Sequence, residues 1–326
     1  MTSSFVTVTL NPAIDQTVYL DRLRHGKVNI AQRATQHAAG KGVNVAVCLA
    51  DWGAKPCALG LLGEANSGMF EALFQQRGIR DAFTRVAGQT RTNLKLVEPD
   101  GMTTDINLAG LTADAAQLDA VSDRLTAQIS QNTVVVLSGS LPPGLAADAW
   151  ARLLHQANRR GARTLLDTSG PALHAALASH TSALPFAIKP NRHELEALLG
   201  HPLSDHTAVY KAALRLVAKG IHLIVVSMGR DGALFVTQQQ ALIARPTRFA
   251  NGSSVGAGDA MVAGLASALQ HTPFDLAQCA RQATAFSLGF LESGDQRRIT
   301  HAAIRSLASD AVTLEHLAAP THVSLE

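Results

Sequence analysis

The sequence predicts an α/β fold in which a mostly parallel central sheet carries helices on both faces. From about residue 114 onward, short apolar runs alternate with segments of helical periodicity, as at residues 133–137, 163–167 and 221–227. The runs are apolar at consecutive positions, which is typical of strands that are covered on both faces. Strands and helices that alternate in this way build parallel sheets, and such sheets bind ligands at their carboxyl edge.

Length and composition are those of a globular protein with an aliphatic core. The chain has 326 residues, of which 47% are hydrophobic and only 4% are aromatic. This length allows two domains of ordinary size, or one large α/β domain with an appendage. We expect the second arrangement, with residues 1–326 forming a single domain.

Charge and cysteine content exclude several classes of protein. The net charge of +3 comes without a Lys/Arg block, so we expect no nucleic-acid partner. No apolar run approaches the roughly 18 residues of a membrane span, and the first residues lack a basic leader, so we expect no membrane partner. Cys48, Cys57 and Cys279 lack metal-ligand spacing. The sequence therefore predicts a cytoplasmic protein with reduced thiols.

The first strand is predicted at residues 6–10, where apolar and polar residues alternate before Asn11-Pro12 breaks the pattern. Asp15 follows in what we expect to be the exit loop, where α/β sheets place ligand-binding groups. An aspartate after Asn-Pro is also a common turn former. It gains a functional interpretation only if other polar groups converge on it.

Residues 37–46, H-A-A-G-K-G-V-N-V-A, lead into a predicted helix at residues 43–52. The segment resembles a phosphate-binding loop, although Gly42 stands where a P-loop carries the Mg²⁺-binding hydroxyl. Backbone amides at a helix start attract anions, and Lys41 adds a positive charge. The alternative is a glycine-rich connector with a solvated lysine.

A hairpin is predicted at residues 91–97 and 103–108, joined by a turn at Pro99-Asp100-Gly101. Its polar face carries Arg91, Asn93 and Lys95. Together with residues 17–36, the hairpin would form a small flap of strands outside the main sheet. A polar hairpin face is usually only solvated, so this pattern alone assigns no function.

In the C-terminal half, three polar turns follow predicted strands, at residues 138–144, 189–194 and 227–232. All three therefore belong to the carboxyl edge of the sheet. Asn191 and Glu194 also have the spacing of a helix capping box, which is a sufficient structural reason for their presence. In the last third of the chain, helices are predicted at residues 277–290 and 299–307.

Residues 251–259, N-G-S-S-V-G-A-G-D, precede an apolar helix and form the second anion-friendly helix start. Glycines at this position let backbone amides point together at the positive end of the helix dipole, which creates an anion hole. Asp259 would face the same space and could take a proton from an acceptor hydroxyl. Two anion sites indicate two phosphorylated ligands, one of them a nucleotide. The alternative is a glycine-rich loop with an aspartate at the helix start.

Taken in order, these segments resemble the PfkB-type, ribokinase-like family of sugar kinases from residue 6 to about residue 292. The matching pieces are T-L-N-P-A-I-D, A-G-K-G-V-N-V-A, T-R-T-N-L-K-L, S-G-S-L-P-P-G, K-P-N-R-H-E, S-M-G-R-D-G-A-L and S-V-G-A-G-D. One piece alone would be weak, but the whole series in family order is specific. Ser254 departs from the family pattern, in which many members have Thr.

The resemblance implies the residues that hold ATP and carry out the transfer. Asp259 would be the general base, and the amides of Gly256, Ala257 and Gly258 would form the anion hole. Mg²⁺ would be organised by Glu194 and Asn191, mostly through water. The residues implied to contact ATP are Lys189, Asn191, Ser227, Gly229, Gly232, Ser254 and Gly258.

The resemblance also implies the residues that hold the acceptor. Those implied to contact the sugar are Asp15, Gly40, Asn44, Asn93 and Ser140, and those implied to grip its existing phosphate are Lys27, Lys41 and Arg91. Strands inserted from about residues 15–36 and 90–109 would form a lid that excludes water and joins two subunits into a homodimer.

The implied reaction is ATP-dependent phosphorylation of D-fructose 1-phosphate to fructose 1,6-bisphosphate. Tagatose 6-phosphate and fructose 6-phosphate are the alternative acceptors within the family, because all three sugars can present a hydroxyl at a similar distance from the phosphate. A catalytically silent sugar-phosphate sensor would be expected to lose Asp259 or the anion-hole glycines. A nucleoside or vitamin kinase would not need Lys41 together with Arg91.

Overall fold

The computed structural model describes residues 3–179, 183–248, 255–293 and 299–318. Within these ranges fifteen strands and ten α-helices follow one another along the chain. The strands are β1 (Phe5–Thr9), β2 (Ala13–Tyr19), β3 (Arg33–Ala39), β4 (Cys57–Gly63), β5 (Arg80–Asp81), β6 (Thr84–Val86), β7 (Arg91–Val97), β8 (Thr103–Asn107), β9 (Val134–Ser138), β10 (Arg163–Asp167), β11 (Ala187–Ile188), β12 (Leu223–Ser227), β13 (Ala233–Val236), β14 (Ala241–Pro246) and β15 (Val312–Leu317). The helices are α1 (Lys41–Asp51), α2 (Gly68–Arg77), α3 (Ala115–Gln128), α4 (Ala149–Arg159), α5 (Gly170–Leu177), α6 (Arg192–Leu199), α7 (His206–Ala218), α8 (Ala257–Leu269), α9 (Leu276–Glu292) and α10 (His301–Asp310).

The central sheet has the strand order β15-β14-β13-β12-β11-β10-β9-β1-β4-β5, with β6 paired to β4. The strands from β12 to β5 run parallel, and only the β13-β14-β15 edge is antiparallel. This arrangement confirms the predicted mostly parallel sheet. In the middle of the sheet, β1 lies between β4 and β9, so Val8 pairs with Leu59 on one side and Leu137 on the other.

Helices cover both faces of the central sheet, as the apolar runs predicted. Val135 and Leu137 of β9 pack in one layer of the core with α3, α4, α5 and α7. Val134 and Val136, which alternate with them, pack in the opposite layer with α1, α8, α9 and α10. Because successive side chains of a strand point to opposite faces, burial of both faces requires apolar residues at every position.

The two helices predicted in the last third of the chain are confirmed as α9 and α10. The strand β15, which returns to the sheet edge beside β14, was not predicted. Helix α7 was not predicted either. An edge strand such as β15 is partly exposed and carries charged residues, so it lacks the continuous apolar pattern of the inner strands.

Four strands form a separate small sheet in the order β3-β2-β7-β8. In its centre β2 runs parallel to β7 and antiparallel to β3. The expectation that Asp15 lies in an exit loop was wrong, because Asp15 pairs with Asn93 in the middle of the β2–β7 ladder. The turn at Asn11-Pro12 redirects the chain from the central sheet into the small one, and β2 begins directly after it.

None of the helices in the described part of the chain has the length and apolar character needed to cross a bilayer.

Candidate active site

Several of the predicted site residues follow parallel strands at one edge of the central sheet. Ser140 follows β9 and Lys189 follows β11, and Asn11, which was not predicted, follows β1. Because the carboxyl ends of parallel strands meet at the same edge, these residues share one cleft. Two direct contacts join neighbouring turns: the Asn11 side-chain amide donates to Ser140 Oγ at 3.2 Å, and Asn191 bridges to Ser227 at the end of β12.

Asp259 lies in the first turn of α8 with only 8% of its surface exposed. Its Oδ2 accepts a hydrogen bond of 2.7 Å from Asn44 Nδ2 in the first turns of α1. The helix starts at Lys41 and at Ala257 therefore meet at this carboxylate. Sequence reasoning predicted both residues for the site but not their direct contact.

Burial and the neighbouring charges set the ionisation of Asp259. Burial, followed by the negative charge of Asp167, raises the pKa of Asp259 to about 6. The hydrogen bond from Asn44 and the charges of Lys41 and Lys189 act in the opposite direction. A carboxyl group with this pKa is mostly ionised at neutral pH. Its pKa is also closer to neutral pH than that of an ordinary aspartate, which suits a general base.

The turn before Asp259 has the geometry of an anion hole. Gly256 is the N-cap of α8 and adopts a φ of 93°, in the left-handed region that favours glycine. A Cβ at this position would come within 2.6 Å of the Phe290 ring. The first backbone amides of a helix have no partner inside the helix, so those of Gly256, Ala257 and Gly258 can receive an anion. The predicted nucleotide contact Ser254 lies outside the described residues.

Asp167, which the sequence analysis did not select, is the most buried carboxylate of the site. Its side chain is 1% exposed and lies 3.2 Å from Lys41 Nζ and 3.4 Å from Lys189 Nζ. Burial acts to raise the pKa of Asp167, but the two ammonium groups outweigh it and hold the pKa below its usual range. Its position at the end of the predicted strand 163–167 was the signal available in the sequence.

Lys41 is the first residue of α1, which packs tightly against β1. A Cβ on Gly42 would lie 2.4 Å from Thr9 Oγ1, so glycine allows this close approach and leaves no room for the hydroxyl of a P-loop. Burial acts to lower the pKa of Lys41, but the carboxylates of Asp167, Asp259 and Glu194 together raise it. Lys41 is therefore a positive charge that interacts with the carboxylates of Asp167 and Asp259.

The small sheet contributes a second group of polar residues. Asn93 Nδ2 donates to Asp15 Oδ1 at 2.9 Å, and Arg91 Nη2 donates to the Asn11 carbonyl at 3.3 Å. Burial lowers the pKa of Arg91, and Asp15 partly opposes this effect. Arg91 Nε and Asn93 Oδ1 are buried and lack a hydrogen-bond partner among the described residues, so part of their hydrogen-bonding capacity is unused.

Two further predicted sugar contacts differ in their surroundings. Gly40 is the N-cap of α1 and lies next to Thr9 and Pro12. Lys27 lies on the exposed turn between β2 and β3, where its backbone NH bonds to the Arg24 carbonyl. The structure does not bring Lys27 to the other candidates, and its role stays a prediction.

A cavity of about 790 Å³ opens beside the anion hole. Its lining includes the predicted ATP contacts Asn191, Ser227, Gly229, Gly232 and Gly258. The opposite wall was not predicted and consists of Met261, Thr284, Ser287, Leu288 and Leu291 from α8 and α9. These residues have the helical spacing of core positions, so the sequence contained no signal for them. The volume lies in the usual range of small-molecule sites.

Asn191 and Glu194 form the capping box that their spacing predicted. Asn191 Oδ1 accepts a hydrogen bond from the backbone NH of Glu194, and Glu194 Oε2 accepts one from the backbone NH of Asn191, each at 2.8 Å. Glu194 Oε1 takes no part in the box. No group of three or more His, Cys, Asp or Glu side chains that could hold a metal occurs within the described ranges. A single carboxylate suits Mg²⁺, which keeps most of its ligands from water and phosphate.

Comparison with known proteins gives a consistent result. The sequence profile of the pfkB family of carbohydrate kinases matches residues 8–294. A protein of Xanthomonas campestris pv. campestris named 1-phosphofructokinase is 59% identical over 313 residues, which cover 96% of this chain and 98% of that protein. A 1-phosphofructokinase of Escherichia coli K12 is 39% identical over 266 residues, covering 81% and 84% of the two chains.

Solved structures extend the likeness to the fold. Phosphofructokinase-2 of Escherichia coli, crystallised with potassium, superposes with a TM-score of 0.87 at 27% identity, covering 94% of this chain and 98% of that one. The superposed 94% of this chain, which has a large, mostly parallel sheet and a small second sheet, shows that the two proteins share a fold. The chain therefore belongs to the pfkB family of carbohydrate kinases.

Proposed function

We propose that the protein transfers the γ-phosphoryl group of ATP to D-fructose 1-phosphate and releases fructose 1,6-bisphosphate. One observation carries the proposal: a buried aspartate, Asp259, lies in the same helix turn as the amides of the anion hole and is flanked by lysines. Phosphoryl transfer to an alcohol requires this combination, because a base must meet the hydroxyl while donors stabilise the charge on the transferred group.

At the acceptor end, Asp259 takes the proton of the attacking hydroxyl onto its carboxylate. The hydrogen bond from Asn44 fixes the carboxylate in place, so that little reorganisation is needed when the hydroxyl arrives. With a pKa of about 6, the carboxylate is ionised at neutral pH and becomes a better base than an unperturbed aspartate.

At the donor end, the cavity of about 790 Å³ holds the nucleotide with its phosphates toward the anion hole. The amides of Gly256, Ala257 and Gly258 bind the oxygens of the transferred group. Asn191 lines the cavity, and Glu194, which shares a capping box with Asn191, would hold Mg²⁺ together with it through water. When bound, Mg²⁺ neutralises the charge of the phosphates.

The acceptor is a phosphosugar because the cleft offers fixed positive charge away from the base. Arg91 is half-buried, and its Nε has no hydrogen-bond partner in the described part of the chain. Burying an arginine without a full set of partners is costly, so a phosphate ligand would compensate it. Asp15 and Asn93, which hydrogen-bond to each other beside Arg91, then contact the sugar hydroxyls together with Gly40, Asn44 and Ser140.

We assign fructose 1-phosphate as the acceptor, and not another phosphosugar, because both relatives described above are named 1-phosphofructokinase. The relative from Xanthomonas matches almost the whole chain at 59% identity. Fructofuranose has a hydroxymethyl group at each end, so the 1-phosphate and the 6-phosphate can present a phosphate and a free hydroxyl at similar spacing. Tagatose 6-phosphate differs from fructose 6-phosphate by one ring hydroxyl, which a fixed hydrogen-bonding group would detect.

A panel of acceptors tests this assignment. Purified protein is assayed with Mg-ATP and fructose 1-phosphate, fructose 6-phosphate, tagatose 6-phosphate or free fructose. We expect kcat/KM for fructose 1-phosphate to exceed each of the others by about tenfold or more, because the resident phosphate and the ring hydroxyls both contribute to binding. A larger kcat/KM for another phosphosugar would identify that sugar as the substrate in place of fructose 1-phosphate. No turnover with any of the four acceptors would reject the kinase assignment.

We also propose that the small sheet acts as a lid and as the interface of a homodimer. Five large apolar side chains on this sheet and its connections are exposed: Val28, Ile30, Met102, Ile106 and Leu108. The first two are 89% and 86% exposed, although monomeric proteins rarely expose such clusters. Pairing of two small sheets would bury this surface and hold each lid above its cleft, where it excludes water.

Charge substitutions test the interface. Replacing both Met102 and Ile106 by Glu should convert the dimer to a monomer in sedimentation velocity, because two carboxylates per subunit would be buried without partners. The substitution Ala127→Glu on the exposed face of α3 provides the control and should leave the mass unchanged. A wild-type protein that sediments as a monomer, or a double variant that stays dimeric, contradicts the proposed interface.

A further inference from the structure

Asp167 has a buried, charged carboxylate that has no role in the phosphoryl transfer as proposed above. Its carboxylate is bracketed by two ammonium groups, with Lys41 Nζ 3.2 Å from Oδ2 and Lys189 Nζ 3.4 Å from Oδ1. The remaining polar neighbour, Ser138 Oγ, is 3.4 Å from Oδ2. One carboxylate therefore joins two lysines that come from different elements of the fold.

Both lysines reach the region where the phosphoryl group would move. Lys189 Nζ lies 3.6 Å from the position that a Cβ on Gly258 would occupy, so its charge borders the anion hole. Lys41 starts α1 and acts electrostatically on Asp259. Arg91, by contrast, contacts the Asn11 carbonyl on the side of the small sheet. The positive charges of the cleft thus form two groups, and Lys41 belongs with Lys189.

We propose that Asp167 is a positioning residue that holds the ammonium groups of Lys41 and Lys189 on either side of the transferred phosphoryl group. This inference rests on the proposed phosphoryl transfer. It assigns Lys41 to the transferred group, and it leaves the phosphate already present on the sugar to Arg91.

The physical reason lies in the flexibility and mutual repulsion of lysines. Two ammonium groups brought together repel each other, and each has a long side chain with many rotamers. A buried carboxylate between them cancels the repulsion and fixes both nitrogens before the substrate binds, which is how enzymes stabilise developing charge without reorganisation. The trio keeps one net positive charge for the phosphoryl group.

The same trio acts on the general base with opposite signs. The charged groups that face Asp259 are Asp167 at the end of β10, Lys41 on α1 and Lys189 after β11. Asp167 raises the pKa of Asp259, whereas the two lysines lower it. Glu194 on α6 acts on Lys41. Removing the carboxylate and removing a lysine should therefore move the pH dependence of the reaction in opposite directions.

The first test is Asp167→Asn, which keeps the size of the side chain and removes its charge. We expect the acid limb of the kcat/KM profile to move to lower pH by about half to one unit, because Asp259 loses a nearby negative charge. The kcat should fall about tenfold or more, since the lysines lose their common anchor. The KM for the phosphosugar should change less than about threefold, since a group that acts on the transferred phosphoryl affects kcat rather than KM. The substrate phosphate titrates equally in both proteins, so the difference between the profiles reports the enzyme.

The second test is Lys41→Met. Because the wild-type Lys41 side chain is 38% exposed, we expect this substitution to leave the core packing intact. Here the acid limb should move to higher pH, and kcat should fall more than the KM for the phosphosugar rises. If Lys41 instead gripped the resident phosphate, KM would rise about tenfold or more with kcat nearly unchanged. That result would overturn the proposal even if Asp167→Asn failed to fold.

Thr168→Val is a matched control, because Thr168 is the buried neighbour of Asp167 and its Oγ1 donates to the Gly139 carbonyl at 2.9 Å. It removes a hydrogen bond from the same turn without changing charge. We expect a lower melting temperature and an unchanged pH profile. If Asp167→Asn behaves in the same way, with activity lost only in proportion to folded protein, the positioning role is rejected. The wild-type acceptor panel tests the proposed function separately, and the pH comparison can use any acceptor that is turned over.

Discussion

Replacing Asp259 by asparagine is expected to lower kcat by about 10²–10⁴-fold, the usual contribution of a positioned general base. The amide has nearly the same shape as the carboxylate and can still accept the hydrogen bond that Asn44 donates at 2.7 Å. It cannot take a proton from the acceptor hydroxyl. The variant should therefore fold and bind ATP normally while the chemical step is lost.

Two measurements separate these effects. A coupled assay gives kcat, and isothermal titration calorimetry gives the dissociation constant for Mg-ATP, which we expect to change by less than about threefold, or 0.6 kcal/mol. Asp114→Asn is the matched control, since Asp114 is the exposed N-cap of α3 and asparagine caps equally well. Turnover of Asp259→Asn within tenfold of wild type would show that the base is another group.

Replacing Gly256 by alanine is expected to lower kcat by about 10²-fold through displacement of the anion hole. At a φ of 93° any Cβ is strained, and here it would also meet the Phe290 ring at 2.6 Å. Relief of this contact requires the turn to move, which shifts the amides away from the transferred oxygens. Loss of a single donor of this kind typically reduces kcat about 10²–10³-fold.

Two further variants distinguish strain from displacement. Gly161→Ala has a comparable positive φ of 77° but no atom near the new Cβ, so it should cost about 1–2 kcal/mol in urea denaturation and leave kcat unchanged. Adding Phe290→Ala to Gly256→Ala removes the ring and should restore part of the activity. Equal activity of Gly256→Ala and wild type would exclude the turn from catalysis.

The general features of the site were predictable because they follow from local patterns. A continuous apolar run such as residues 133–137 must be covered on both faces, and this requirement leads to the parallel sheet and to a ligand-binding carboxyl edge. The glycines before Asp259 likewise define a helix start with free amides, whatever the surrounding fold. Family membership, shown by the match over residues 8–294, agrees with the parallel sheet and with the glycine-rich helix start.

Features that depend on distant packing escaped prediction. Asp15 was expected in a loop, but pairing with β7, almost 80 residues away, makes it part of a strand and brings it to Asn93. Asp167 gave only the weak signal of a carboxylate at a strand end. The wall that α9 contributes to the cavity has the spacing of an ordinary core helix, so sequence periodicity could not distinguish a cavity-lining role from a core role.

The sequence by itself determined the type of sheet, and it indicated the edge of the sheet where the candidate site lies and the candidate residues for binding anions or taking a proton. Only the tertiary structure decided which of these residues contact one another: Asn44 and Asp259 across 215 positions, and Lys41 and Lys189 through Asp167. Periodicity and turn chemistry act over a few residues, whereas these contacts require helices and strands from the whole chain to pack within hydrogen-bonding distance.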